Sequence, residues 1–278
     1  MRRLLMSSLA LTFAGLSLAA GEIGLTANEK YDYAVAMKQV AKKFTGTPGV
    51  ILLLGDSITF SPQNTAWALQ GQGQTPAIKE FLKWSHTGEK NDKDGWTAAR
   101  QQVEPGRSAT ASNGVTSIEY LNGGKHNLPP LRDILKKFNP QMIVYMLGTN
   151  DTWQDIPVAT SLPSVEKAID AILANGTIPV LSTIPAFKGK ADKVDAYNAE
   201  LRKLAEKKKI PLLDLFVEMK TLGGNSESFL EEDGIHLSSP NNMGAPTAEN
   251  FKRCGYLFRC YLNVLKLMEV KAKVIDTK

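Results

Sequence analysis

Apolar positions along the chain fall into two alternating rhythms. Gly49-Val50-Ile51-Leu52-Leu53-Leu54 is an unbroken apolar run closed by Gly55-Asp56-Ser57, and similar runs recur at Met142-Ile143-Val144-Tyr145-Met146-Leu147, Ile178-Pro179-Val180-Leu181-Ser182 and Pro211-Leu212-Leu213-Asp214-Leu215. Runs without polar alternation are how parallel strands covered on both faces read. Between them the spacing turns helical. Leu131, Ile134, Leu135 and Phe138 share a face and stop at Asn139-Pro140; Val165, Ile169 and Ile172 precede Asn175-Gly176; Tyr197, Leu201 and Leu204 lead towards Pro211. Strand and helix in alternation predict a doubly wound α/β domain, with right-handed crossovers and helices on both faces of a parallel sheet. A last helix is expected from about Pro246 to Met268.

One stretch departs from this rhythm. From Thr59 to Ser112 the chain is rich in Gln, Gly, Asn and Lys, with helical periodicity only over Ala77 to Trp84. It reads as a long excursion with a weak strand near Gln101 to Val103. Because it follows the first strand directly, it is the expected wall of whatever binds there.

Met1-Arg2-Arg3, the apolar and small-residue run Leu4 to Leu18, and Ala19-Ala20-Gly21 have the order of a signal peptide with a small-residue cleavage site. Residues 1–20 are therefore expected to be removed on export, to the periplasm or outside the cell, leaving one domain over 21–278. The run is short for a membrane span, and no later stretch is long enough to be one.

Composition adds little beyond this: 43% hydrophobic and 22% charged residues are ordinary globular usage. Thirty-three Lys and Arg stand against 28 Asp and Glu, and without Arg2 and Arg3 the formal charge falls from +5 to +3. That bias is too small to imply nucleic acid. Lys207-Lys208-Lys209 reads as the exposed end of a helix, where cations suit the dipole. Cys254 and Cys260 fall on different faces of the last predicted helix, so two buried thiols are expected unless that helix bends. The three histidines are scattered, with no paired spacing that would hold a metal.

In an open parallel sheet, ligands bind beyond the carboxyl ends of the strands. There the chain places Gly55-Asp56-Ser57-Ile58, Gly148-Thr149-Asn150-Asp151 and Ser182-Thr183-Ile184-Pro185, and later Asp233-Gly234-Ile235-His236. Each alone is ordinary turn chemistry. Together they are the parts of acyl transfer: a hydroxyl, an amide, and an acid three residues before a histidine. A serine needs an imidazole to take its proton, and the imidazole needs an acceptor on its other nitrogen. Of His86, His126 and His236, only His236 follows an acid at a spacing one turn can present. Backbone amides and a side-chain amide would receive the oxyanion: Ser57 N–H, Asn150, and a glycine from another loop, Gly114 or its alternative Gly106. Asp56 reads as a turn former. Trp67, Trp96 and Trp153 read as sugar-stacking surfaces or as plain packing.

The blocks Gly55-Asp56-Ser57-Ile58, the Gly114 segment, Gly148-Thr149-Asn150-Asp151 and Asp233-Gly234-Ile235-His236 run in the order of the SGNH hydrolase superfamily, also called GDSL-type esterases and lipases, which the chain resembles. The resemblance implies Ser57 as nucleophile, His236 as general base and Asp233 as third triad member. Ser57, Gly114 and Asn150 would form the oxyanion hole. It also implies a flavodoxin-like three-layer α/β/α fold of about five parallel strands, with no metal or organic cofactor. The resulting expectation is an exported serine esterase that removes a small acyl group, acetyl above all, from a carbohydrate or other small-molecule ester. The alternatives are a lipase, lysophospholipase or thioesterase for longer chains, and, in another class, a glycan-binding protein on the same fold.

Overall fold

The computed structural model describes residues 24–26 and 29–277, so the signal peptide expected at 1–20 lies outside the described residues. Four strands form one parallel sheet in the order β1 (Ile51–Gly55), β2 (Met142–Met146), β3 (Ile178–Ser182) and β4 (Leu212–Leu213). Every strand residue is buried, which is why these segments carry no polar alternation. The register sets Leu53 against Val144 and Val144 against Val180, so the three long strands end level and deliver their following loops to one rim.

The predicted crossovers are present as helices Leu131–Phe138, Val158–Ala174 and Ala191–Lys208. Their buried faces include Ile134, Val165, Ile169, Tyr197 and Leu201, the residues that set the helical spacing. The Lys207 and Lys208 end of the last of these helices pairs with Glu166 and Asp170 of its neighbour.

Among the described residues the sheet has no fifth strand. Gln101–Val103 follows directly on helix Gly95–Arg100, whose last turn is closed by the Gln101 amide on the Thr97 carbonyl. Contact with β1 comes later, as a single parallel bridge between Gly55 and Ala111. A ladder does not extend from it because side-chain hydroxyls take its place. Ser108 Oγ accepts the amides of Thr110 and Ala111 at 3.2 and 3.0 Å, and Thr110 Oγ1 donates to the Leu53 carbonyl at 2.8 Å.

The excursion is helical rather than irregular. It holds Ser57–Phe60, Gln63–Gln70, Pro76–Trp84 and Gly95–Arg100, the last two capped by Thr75 and Asp94 side chains that accept amide hydrogens. Trp67 meets Tyr261 edge-on at 5.5 Å between ring centroids, and Trp96 donates its indole N–H to Ser85. Both are buried and neither is free to stack on a sugar; Trp153, 55% exposed, is the one of the three that reaches solvent.

The last predicted helix is two, Ala248–Arg253 and Gly255–Val270, because Cys254 adopts an extended backbone and its Sγ accepts the Leu257 amide. Cys254 and Cys260 are free and buried. Among the described residues, no helix is long and apolar enough to cross a membrane, and no group of His, Cys, Asp or Glu is placed to hold a metal.

Candidate active site

Ser57 opens a one-turn helix at the carboxyl end of β1, with Asp56 as its cap. The turn is tight: a Cβ on Gly55 would lie 2.2 Å from Thr59 Oγ1, so only glycine lets the chain fold back there. Asp56 is fully buried and its Oδ1 accepts the Ile58 amide at 3.0 Å. Burial pushes its carboxyl up to about 6, against the pull of the Ile58 amide and the Arg259 charge. The turn-forming role expected of it is what these contacts describe.

The loop after helix Ser226–Phe229 brings Asp233 and His236 to the same rim. Gly234, at φ +71°, makes the turn between them, and the Glu231 amide donates to the His236 carbonyl at 2.8 Å to close it. Asp233 Oδ1 accepts the amides of Ile235 and His236, each at 2.9 Å, while Oδ2 lies 2.6 Å from His236 Nδ1. Burial raises the Asp233 carboxyl, but the ring hydrogen bond and the two amides outweigh it and hold it below the usual carboxylate range. An ionised carboxylate only accepts, so the proton in this contact belongs to Nδ1, and in the neutral ring Nε2 is then the acceptor. Nε2 lies 2.9 Å from Ser57 Oγ, across 179 residues of sequence. The remaining histidines are elsewhere: His86 contacts Glu89 and the Pro48 carbonyl before β1, and His126 packs near Gly106.

Asn150 sits at 6% exposure on helix Thr149–Trp153, directly after β2. Its Nδ2 donates to the Val115 carbonyl at 3.1 Å, which leaves the second amide hydrogen for another acceptor. That bond also ties the Asn150 block to the Gly114 segment. Gly114 itself is at φ +65°, and its neighbour Asn113 lines the cleft with Ser57 and His236. The Gly106 carbonyl instead accepts the Asn113 amide at 2.8 Å, one step behind the rim.

A second tie was not legible as such. Asp151 accepts both the amide and the hydroxyl of Ser117, at 2.9 and 2.6 Å, at the start of helix Ser117–Asn122. Burial raises its carboxyl against those donors. Asp151→Ala leaves the buried Ser117 amide without an acceptor and its hydroxyl with only the Ser161 carbonyl at 3.3 Å, and is expected to lower the unfolding free energy by about 1 to 3 kcal/mol, measurable as a shift of the urea midpoint with unchanged slope.

Ser57 and His236 open onto a shallow cleft of about 350 Å³ that Phe60, Ser61, Asn113 and Tyr256 help to line. Burial pushes the Tyr256 phenol up to about 12, so it remains a hydrogen-bond donor at neutral pH. Phe60 and Asn113 stand beside the motifs and adjacency could have found them; Tyr256 carries no sequence signal for this position.

Comparison with known proteins gives a consistent picture. The GDSL-like lipase/acylhydrolase family matches residues 53–240. An arylesterase of Vibrio mimicus is 27% identical over 136 residues, 48% of this chain and 64% of that protein, so the chain spans less than two thirds of its relative's length. Among solved structures, an acetyl esterase with acetate ion superposes with a TM-score of 0.53 at 15% identity, over 80% of this chain and 98% of the other. A carbohydrate esterase family 3 protein from Talaromyces cellulolyticus does so with a TM-score of 0.53 at 16% identity and the same coverage. These two likenesses are likenesses of fold. The matched span includes β2, β3 and β4 and every motif named above from Ser57 to His236, and on that match the chain belongs to the GDSL-like lipase/acylhydrolase family.

Proposed function

We propose that the protein is an exported serine esterase that releases a small acyl group, acetyl above all, from an ester of a polar alcohol such as a carbohydrate. The observation that carries this reading is the continuous chain of hydrogen bonds from Asp233 through His236 to Ser57 at the end of β1. His236 Nε2 takes the hydroxyl proton as Ser57 Oγ attacks the acyl carbon. The oxyanion is received by the Ser57 and Gly114 amides and the Asn150 side chain. As the tetrahedral intermediate collapses, His236 returns the proton to the departing alcohol. Water then repeats the sequence on the acyl-enzyme: it gives a proton to His236, its oxygen bonds the acyl carbon, and Ser57 leaves with the proton restored.

The small acyl group is argued from the cleft, which is shallow and has Ser61, Gln63 and Ser239 among its lining residues beside Phe60, Leu237 and Tyr256. Hydroxyl and amide groups there suit an alcohol that carries hydroxyls of its own. Export is argued from the leader at 1–20, and a single domain from the one alternating α/β pattern.

Chromogenic acetyl, butyryl and octanoyl esters test the reading. The mature protein is expected to turn over the acetyl ester with the highest kcat/KM and the octanoyl ester with the lowest. Preference for octanoyl would replace the small-acyl assignment with a lipase-like one. A folded protein that hydrolyses none of them would leave the glycan-binding alternative.

A further inference from the structure

The nucleophile turn is held from behind by a residue outside the span matched by the family. Arg259, on helix Gly255–Val270, is 1% exposed, and its guanidinium reaches the turn across about 200 residues of sequence. Nη1 donates to the Ile58 carbonyl at 3.2 Å and to Asn64 Oδ1; Nη2 donates to Thr59 Oγ1 at 3.0 Å. Asn64 in turn donates from Nδ2 to the Thr59 carbonyl at 3.1 Å. The two residues immediately after Ser57 are thus gripped by one planar cation and its amide partner, and Thr59 Oγ1 is also the atom that fills the space a Gly55 side chain would take.

A buried guanidinium is held only where its hydrogen bonds compensate for lost water, and its fork fixes direction as well as distance. The geometry points to Arg259 as a positioning residue for the reaction: through Ile58, Thr59 and Asn64 it sets the orientation of the turn that aims Ser57 Oγ at His236 Nε2 and the Ser57 amide at the oxyanion. This inference rests on the reading of Ser57 as nucleophile. It assigns to the terminal helix a part in alignment rather than in packing alone.

The same helix supplies a control. Lys266, two turns further on and also 1% exposed, pairs with Glu29 and Glu269 and faces the amino-terminal segment instead of the site. Arg259→Met and Lys266→Met each remove one buried cation, and both are expected to lower the melting temperature. Only Arg259→Met is expected to lower kcat on the acetyl ester, by about 100-fold with KM within about twofold, because misplacement of reacting atoms costs rate rather than binding. Thr59→Val keeps the arginine and removes one acceptor, and is expected to lower kcat by about tenfold. The double variant Thr59→Val/Arg259→Met is expected to be no slower than Arg259→Met alone, since both act on one contact.

The inference is overturned if folded Arg259→Met keeps its kcat, if the two losses multiply, or if Lys266→Met loses kcat equally. Should Arg259→Met not fold, Thr59→Val decides alone: reduced kcat supports the inference and unchanged kcat overturns it. Ser57→Ala, assayed in parallel, separates this outcome from the underlying reading, because activity retained in Ser57→Ala would remove the nucleophile itself.

Discussion

Ser57→Ala is expected to slow ester hydrolysis by about ten-thousandfold or more while leaving the thermal unfolding transition nearly in place. The size follows from what the hydroxyl does. On the proposed mechanism it is the atom that bonds the acyl carbon, and no other hydroxyl lies at hydrogen-bond distance from His236 Nε2 among the contacts of the described residues. The intact fold follows from what the rest of the turn does. Asp56 still caps the helix through the Ile58 amide, the Ser61 amide still bonds the residue 57 carbonyl at 2.9 Å, and Arg259 still holds Ile58 and Thr59. What is lost structurally is one hydrogen bond at a part-buried position, worth about 1 kcal/mol. Steady-state rates on the acetyl ester and a melting curve on the same preparation check both halves. A loss of activity that accompanies unfolding would not count as support.

His236→Ala is expected to cost nearly as much, because a serine without its base attacks with an unactivated hydroxyl and the alcohol leaves without a proton. Its effect has a separate signature. On the proposed mechanism only a neutral imidazole takes the serine proton, so kcat/KM is expected to fall as the pH is lowered; in the variant that limb of the profile is expected to vanish with the base. Asp233 keeps the amide of Ile235 and of residue 236 on Oδ1, so the turn itself is expected to survive. A pH profile of the residual activity, measured beside the native one, distinguishes loss of the base from collapse of the loop. Retention of the acid limb in His236→Ala would assign that limb to another group and displace His236 from its role.

The elements that could be read from sequence are those whose signal is local. β1 to β3 are continuous apolar runs because they are covered on both faces, and the Gly-Asp-Ser, Gly-Thr-Asn-Asp and Asp-Gly-Ile-His blocks stand where strand ends and tight turns dictate. The excursion hid its helices for a physical reason: Gln63–Gln70 and Gly95–Arg100 are short, lie within polar sequence, and bury one tryptophan each in place of a periodic stripe. The strand expected at Gln101–Val103 gave way to a bridge at Ala111, where Ser108 and Thr110 hydroxyls satisfy the backbone that a ladder would have used. The break at Cys254 depends on a thiol acting as a helix cap, a weak acceptor that no periodicity displays. Arg259, Tyr256 and the Asp151–Ser117 tie carry meaning only through partners far away in sequence, so each looked like an ordinary helical residue or part of a turn.

Covalent capture distinguishes a serine activated by its histidine from an ordinary hydroxyl. The mature protein is treated with an activated phosphonate ester, which a serine activated by its histidine attacks and retains, and the labelled chain is digested and mapped by mass spectrometry. One phosphonyl group per chain is expected, on Ser57, with loss of acetyl-ester hydrolysis in proportion to labelling and no label in Ser57→Ala. Full labelling at another residue, or hydrolysis that persists once Ser57 is completely modified, would contradict it.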